Sequence, residues 1–152
     1  MMRLFILILM VCPVLSACSD SGDDEVIAVA EQYWNAWHHG DEELMADVLH
    51  DRLAKRAVLE IPESRKFPAE QKDTWQENGY YLHDQGKSIL VNKIKNRKPT
   101  PKNSQGAEIE LLDRRGNAAV VKIATGGGID YLQLVRVDKR WYIINVLWAM
   151  GN

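Results

Sequence analysis

GIDYLQLVRVDKRWYIINVLW, residues 128–148, reads as a β-hairpin. Two runs rich in Leu, Ile, Val, Tyr and Trp flank Asp138-Lys139, a polar pair suited to a two-residue turn. Counting back from that turn, Arg136 pairs with Trp141, Leu134 with Ile143, Leu132 with Asn145 and Asp130 with Leu147. Those residues form one face. The other holds Ile129, Tyr131, Gln133, Val135, Tyr142, Ile144, Val146 and Trp148. Large apolar residues occupy both faces, so each face needs a cover.

The hairpin closes a longer run. AEIELLD (107–113) and AAVVKIAT (118–125) are further strands, joined by turns at Arg115-Gly116-Asn117 and Gly126-Gly127-Gly128. Four consecutive strands with short turns predict an antiparallel meander. The glycine triplet lies between strands, so it reads as a turn rather than a phosphate cradle.

Helical periodicity dominates upstream. Val26, Val29, Ala30, Tyr33, Trp34 and Trp37 predict an amphipathic helix over 23–38, ended by Gly40. Asp41 caps a second helix over 42–50. A third starts from Asp84 and runs to about residue 96, with Ile89, Leu90, Val91 and Ile94 apolar. Between them, 52–58 reads as a short turn, 60–70 as a proline-bearing loop, 79–83 as a short strand and 96–104 as a polar loop. Helices first and sheet second is an α+β plan.

The whole chain has 152 residues, with 19 basic against 21 acidic and a net charge of −2. A mildly acidic chain without a basic stripe excludes nucleic acid as the expected partner. Met1-Met2-Arg3 and the apolar run at 4–15 form a leader too short to span a bilayer comfortably. Leu15-Ser16-Ala17-Cys18 resembles the bacterial lipobox, in which the cysteine is acylated and becomes the mature N-terminus. The expectation is a signal peptide over 1–17, an acylated tether over 18–25 and one domain over 26–152. The resemblance implies a lipid anchor on Cys18 in the cell envelope. Ser19 after the cysteine points to the periplasmic face of the outer membrane. Both cysteines, Cys12 and Cys18, fall in the targeting region, which leaves the domain no disulfide, thiol nucleophile or thiolate metal site.

The segments YWNAWHHGDEELMADVLHDRLAKR (33–56), LLDRRGNAAVVKI (111–123) and DYLQLVRVDKRWYIINVLW (130–148) resemble the putative lumazine-binding branch of the nuclear transport factor 2-like, or SnoaL-like, superfamily. The resemblance covers about 26–58 and 105–149, and fails over 60–104. Asp51 stands where the branch usually has proline, and Lys139 where its last hairpin usually has glycine. It implies a cone-shaped α+β fold, with N-terminal helices over a curved antiparallel sheet and a mostly apolar pocket between them. Relatives include both enzymes and non-catalytic domains, so the fold does not choose.

Candidate residues follow from this plan. Asp130 and Asn145 are the polar groups expected on the concave face, Asp130 as a base if the domain is an isomerase, cyclase or dehydratase. Trp34 and Trp37 could stack on a planar ligand or fill the core. His50 could assist at a ligand or serve the end of the second helix, and Arg56 could bind an anion or pair with Asp47. His38 and His39 are adjacent and diverge on a helix, so no metal pair is expected. No cofactor is expected. Tyr131, Val135, Tyr142, Ile144, Val146 and Trp148 are the expected face of a homodimer. The leading expectation is non-catalytic binding of a small apolar ligand, or scaffolding. A small-molecule enzyme and a protein-interaction module are the alternatives.

Overall fold

The computed structural model describes residues 21–61, 76–99 and 106–151. The signal peptide, Cys18 and the start of the tether lie outside these residues, as do most of the loop expected at 60–70 and part of that at 96–104.

Helix α1 (Ser21–His39) is longer than its periodicity predicts and starts inside the stretch read as tether. Asp23 and Asp24 sit in its first turn and His38 and His39 in its last, the signs that suit a helix dipole. Ion pairs from Asp23 to Arg114 and from Glu25 to Arg136 tie this first turn to the sheet. Val26, Ala30, Tyr33 and Ala36 are buried at the expected spacing. Gly40, at φ +72, turns the chain, and a side chain there would meet the Arg97 carbonyl at 2.9 Å. Helix α2 (Glu42–Val48) is capped by Asp41, whose carboxylate accepts from Leu44 N at 2.9 Å.

The chain then enters strand β1 (Leu49–Glu60), not a helix end and a turn. Its burial alternates through Leu53, Lys55 and Ala57, the period of a strand with one covered face. Strands β2 (Gln76–Glu77) and β3 (Tyr80–Gln85) follow. Helix α3 (Lys87–Lys95) is capped at Gly86, not Asp84; Asp84 stays in β3 and faces Arg56. The meander is β4 (Glu108–Arg115), β5 (Ala118–Thr125), β6 (Gly128–Val137) and β7 (Arg140–Met150). The sheet order is β2-β3-β1-β7-β6-β5-β4. All neighbours are antiparallel except β1 and β7, so the sheet is mixed. The helices cover its concave face, where Leu132, Leu134, Ile143 and Val146 pack under Val26, Ala30 and Met45.

The Asp138-Lys139 turn is as read, with φ of 49° and 66° at the two residues, as a type I′ turn requires. The ladder beyond it is not regular. Leu134 pairs with Ile143, but Gln133 pairs with Asn145, leaving Ile144 as a bulged extra residue. From there every pairing differs from the regular count. Leu132 meets Val146, Tyr131 meets Leu147 and Asp130 meets Trp148. Val146 and Trp148 therefore belong to the concave side and not to the outer face expected for them. Asn145 moves the other way and donates to Gln133 Oε1 at 3.0 Å. Tyr131, Val135 and Tyr142 remain on the outer side.

Candidate functional site

Helices and sheet diverge toward the β5–β6 turn and leave a cavity of about 690 Å³. From α1 come Tyr33, Trp34, Trp37 and His38; from β1 comes Lys55; from β6 comes Asp130; from β7 comes Trp148. Tyr81, His83 and Gln85 of β3 and Lys93 of α3 complete the far wall. Gly128 lies at the rim, where a side chain would meet the Ala149 carbonyl at 2.4 Å; glycine is what lets β6 close on β7 there.

The polar centre is a three-residue cluster. Lys55 Nζ donates to Asp130 Oδ2 at 2.8 Å and to Tyr33 Oη at 2.7 Å, and Tyr33 Oη donates to the same Asp130 oxygen at 2.9 Å. The Lys55 side chain is 8% exposed and that of Asp130 25%. Lys55 Nζ also lies over the rings of Trp37, Tyr33 and Trp148, at 5.3, 5.4 and 5.9 Å. Burial pushes the Lys55 pKa down, while the Asp130 carboxylate pulls it back up. Burial and the neighbouring carboxylate both push the Tyr33 hydroxyl well above its ordinary range.

The Tyr33 hydroxyl links stability to pH. Its folded pKa is raised above the unfolded value of 10.0, so the stability it contributes is fully present below pH 10 and is lost as pH rises beyond that. In an alkaline absorbance titration, one of the five tyrosines should stay protonated until the chain unfolds, and Tyr33→Phe should remove that late step. A Tyr33→Phe protein that keeps the late step would show that another tyrosine carries it.

A second polar group lies toward α3. His38 is 7% exposed, packs against Trp34 with ring centroids 3.9 Å apart and planes tilted by 57°, and has no hydrogen-bond partner at either nitrogen. Burial, then the nearby Arg97 guanidinium, push its pKa down. Arg97 itself lies over the Trp37 ring at 4.5 Å. The Trp148 indole Nε1 is likewise buried without a partner.

The predicted residues divide. Trp34, Trp37 and Asp130 are on the cavity wall. His50, Arg56 and Asn145 are not. His50 is in β1, beside a shallow surface hollow, with its ring edge-on to Tyr142 at 6.1 Å. Arg56 pairs with Asp84 at 3.2 Å on the other side of the sheet, because its neighbour Lys55 takes the inward position. Asp47, the partner foreseen for it, pairs with Arg140. Asn145 was displaced by the bulge. An Asp130 base would thus lack both expected assistants, and its Oδ2 already accepts two hydrogen bonds. Sequence reasoning missed Lys55. The signal was there, since Leu53, Lys55, Ala57 and Leu59 alternate, but the basic residues on both sides of Ala54 hide a strand. Among the described residues, no three His, Asp, Glu or Cys side chains are placed to share a metal ion.

Residues 21–149 match the family described as putative lumazine-binding. The chain belongs to that family. Among solved structures it is similar to a nuclear transport factor 2-like protein of unknown function from Shewanella baltica, at 15% identity and a TM-score of 0.59, over 87% of this chain and 95% of that one. A second such protein, from Silicibacter pomeroyi, is 11% identical with a TM-score of 0.59, over 86% and 97% of the two chains. A third, from Methylobacillus flagellatus, is 17% identical with a TM-score of 0.57, over 90% and 97%. At these identities the likeness carries the nuclear transport factor 2-like fold and nothing finer. No curated protein matches the sequence significantly.

Proposed function

We propose that this family member is a lipid-anchored envelope protein whose cone binds one small planar ligand and does not transform it. The observation that carries the binding reading is the cavity itself: about 690 Å³, walled by Trp34, Trp37 and Trp148. Its volume is in the range of small-molecule sites, and apolar walls with a few placed polar groups are their usual composition. The polar groups on that wall are few: Lys55 and Asp130 hold each other, and His38 lies beside Trp34. The family's name carries lumazine, a flat two-ring heterocycle, which makes it a reasonable first probe. The non-catalytic reading rests on Asp130, which is engaged by a lysine and a tyrosine instead of standing ready for a substrate proton.

The test is a tryptophan-fluorescence titration of residues 19–152 with lumazine, alongside native mass spectrometry of the protein as purified. Quenching that saturates, or a retained small mass, supports the cavity as a binding site. An unperturbed spectrum together with an empty mass, in a folded sample, would end that reading. Turnover of lumazine or of a retained compound, lost in Asp130→Asn, would replace binding by catalysis.

The anchor reading rests on Leu15-Ser16-Ala17-Cys18. Several acyl chains hold a protein on a membrane where one does not. Among the described residues, no helix is long and apolar enough to cross a membrane. Labelling with a radioactive fatty acid should mark the full-length protein and not Cys18→Ser.

The partner reading is a homodimer through the outer sheet face. Val58, Leu147 and Tyr131 lie on that side, with exposures of 57%, 54% and 38%. Apolar side chains grouped in this way mark contact surfaces. A Leu147→Glu exchange should turn a sedimenting dimer into a monomer of unchanged secondary structure. A wild-type monomer at micromolar concentration would discard the proposal.

A further inference from the structure

Among the described residues, Lys55 is the one lysine that the fold buries. The binding reading gives it no task beyond holding Asp130. A buried ion pair holds a fold little better than an apolar pair of the same volume. Stability alone therefore gives no reason for a lysine at this position, and its surroundings supply another.

Three groups meet at one point of the cavity wall. The Lys55 nitrogen is a nucleophile once it loses a proton. The Asp130 carboxylate, 2.8 Å away, is a base within reach of that proton. Tyr33 donates to the same carboxylate oxygen at 2.9 Å and fixes it. A nucleophile within hydrogen-bond reach of a base, with the base held by a third group, is the arrangement that activates side chains for covalent chemistry. The rings of Tyr33, Trp37 and Trp148 lie around the nitrogen, within 6 Å of it. Burial among them lowers the Lys55 pKa, so its proton leaves more readily than that of a surface lysine. Resting on the binding reading above, we infer that Lys55 holds its ligand through a reversible imine and that this ligand is an aromatic aldehyde.

The step balances without an outside reactant. The Lys55 ammonium passes one proton to Asp130. The free amine attacks the carbonyl carbon, a C–N bond forms, and the C=O π pair moves onto oxygen. A second proton shifts from the nitrogen to that oxygen and gives a carbinolamine. Asp130 then returns its proton to the hydroxyl, the C–O bond breaks, and water leaves. The product is an iminium, a cation in place of the ammonium, so the carboxylate and the three rings that suit the first also suit the second. Hydrolysis runs the same steps backward and releases the aldehyde unchanged, in keeping with a site that binds without net reaction. Access sets the ligand class. The Lys55 side chain is 8% exposed, and the hydrogen-bearing carbonyl of an aldehyde needs less room than a ketone. Trp34 and Trp37 on the same wall accept a flat ring.

The experiment treats residues 19–152 with naphthalene-2-carbaldehyde and sodium cyanoborohydride, which reduces an imine to a stable amine. Peptide mapping by mass spectrometry then locates the label. Lys55 should be labelled about tenfold faster than any surface lysine, because it alone is both desolvated and next to an oriented base. An excess of naphthalene-2-methanol, which has the ring and no carbonyl, should protect it. In urea the preference for Lys55 should vanish. Lys55→Arg keeps a cation beside Asp130 and cannot form an imine, so this variant, if folded by circular dichroism, should carry label on surface lysines only. Tryptophan quenching by the alcohol, with aldehyde label spread over surface lysines or centred on Lys93, the exposed lysine of the same cavity, would overturn the imine and leave the cavity as a ligand site. Quenching by the alcohol with no lysine labelled would do the same. If the alcohol, the aldehyde and lumazine all leave fluorescence and mass untouched, the binding reading falls and this inference falls with it.

Discussion

Replacing Lys55 by methionine should lower the unfolding free energy by about 2–3 kcal/mol, somewhat less than breaking a fully buried ion pair costs. Methionine keeps the stem that packs along the aromatic wall and removes only the charge. Asp130 is left with one donor, Tyr33, in place of two. The cost is held down because the Asp130 side chain is 25% exposed and water at the cavity can serve it in part. Urea unfolding should show the loss as a lower midpoint at an unchanged slope. The double exchange Lys55→Met with Asp130→Leu tests the cause. It removes both charges and fills the space with apolar atoms, so it should recover most of the loss, giving a coupling of about 1–3 kcal/mol between neighbours. A single mutant within about 0.5 kcal/mol of wild type would mean that the pair is solvated like a surface bridge. A double mutant as weak as the sum of its parts would mean that the two side chains act separately.

Lys55 also shows where the sequence could be read and where it could not. Helix α1 and the β6–β7 turn were legible because each declares itself locally, one through a period of 3.6 residues and the other through a polar pair between apolar runs. Strand β1 was not. Its inward positions hold one lysine, its outward positions include Arg52 and Arg56, and it pairs in parallel with a strand some ninety residues later in the chain. Nothing nearby in sequence indicates that pairing. The α3 cap was misplaced for a related reason. Asp84 is a good helix starter by type, but Arg56 from β1 holds it in the sheet, and Gly86 begins the helix without a side-chain cap. Trp34, Trp37 and Asp130 lie on the cavity wall, and each sits on an element whose inward face is legible from its own periodicity. His50, Arg56 and Asn145 depended on strand phase, and strand phase cannot be carried past an irregularity that leaves no mark in composition.

That irregularity is the bulge at Ile144, and two substitutions one residue apart test it. Val146→Asn should destabilise the protein by about 3–5 kcal/mol, combining the lost burial of valine with an amide that has no partner in the core. Val146 is fully buried against Leu132 and the helices. Asn145→Val should be neutral or slightly stabilising. It gives up one outer-face hydrogen bond to Gln133 and removes an Asn145 oxygen that is buried without a partner. A regular ladder from the same turn requires the reverse, with Asn145 turned inward and Val146 turned outward, so the two registers predict opposite rankings. Thermal or urea unfolding of the pair decides between them. The result bears on the site as well as the strand, because the extra residue that sends Val146 into the core also turns Trp148 onto the cavity wall beside Lys55. If Asn145→Val proved the more damaging exchange, Trp148 would belong outside, the cavity would lose one of its aromatic walls, and the binding site would have to be rebuilt without β7.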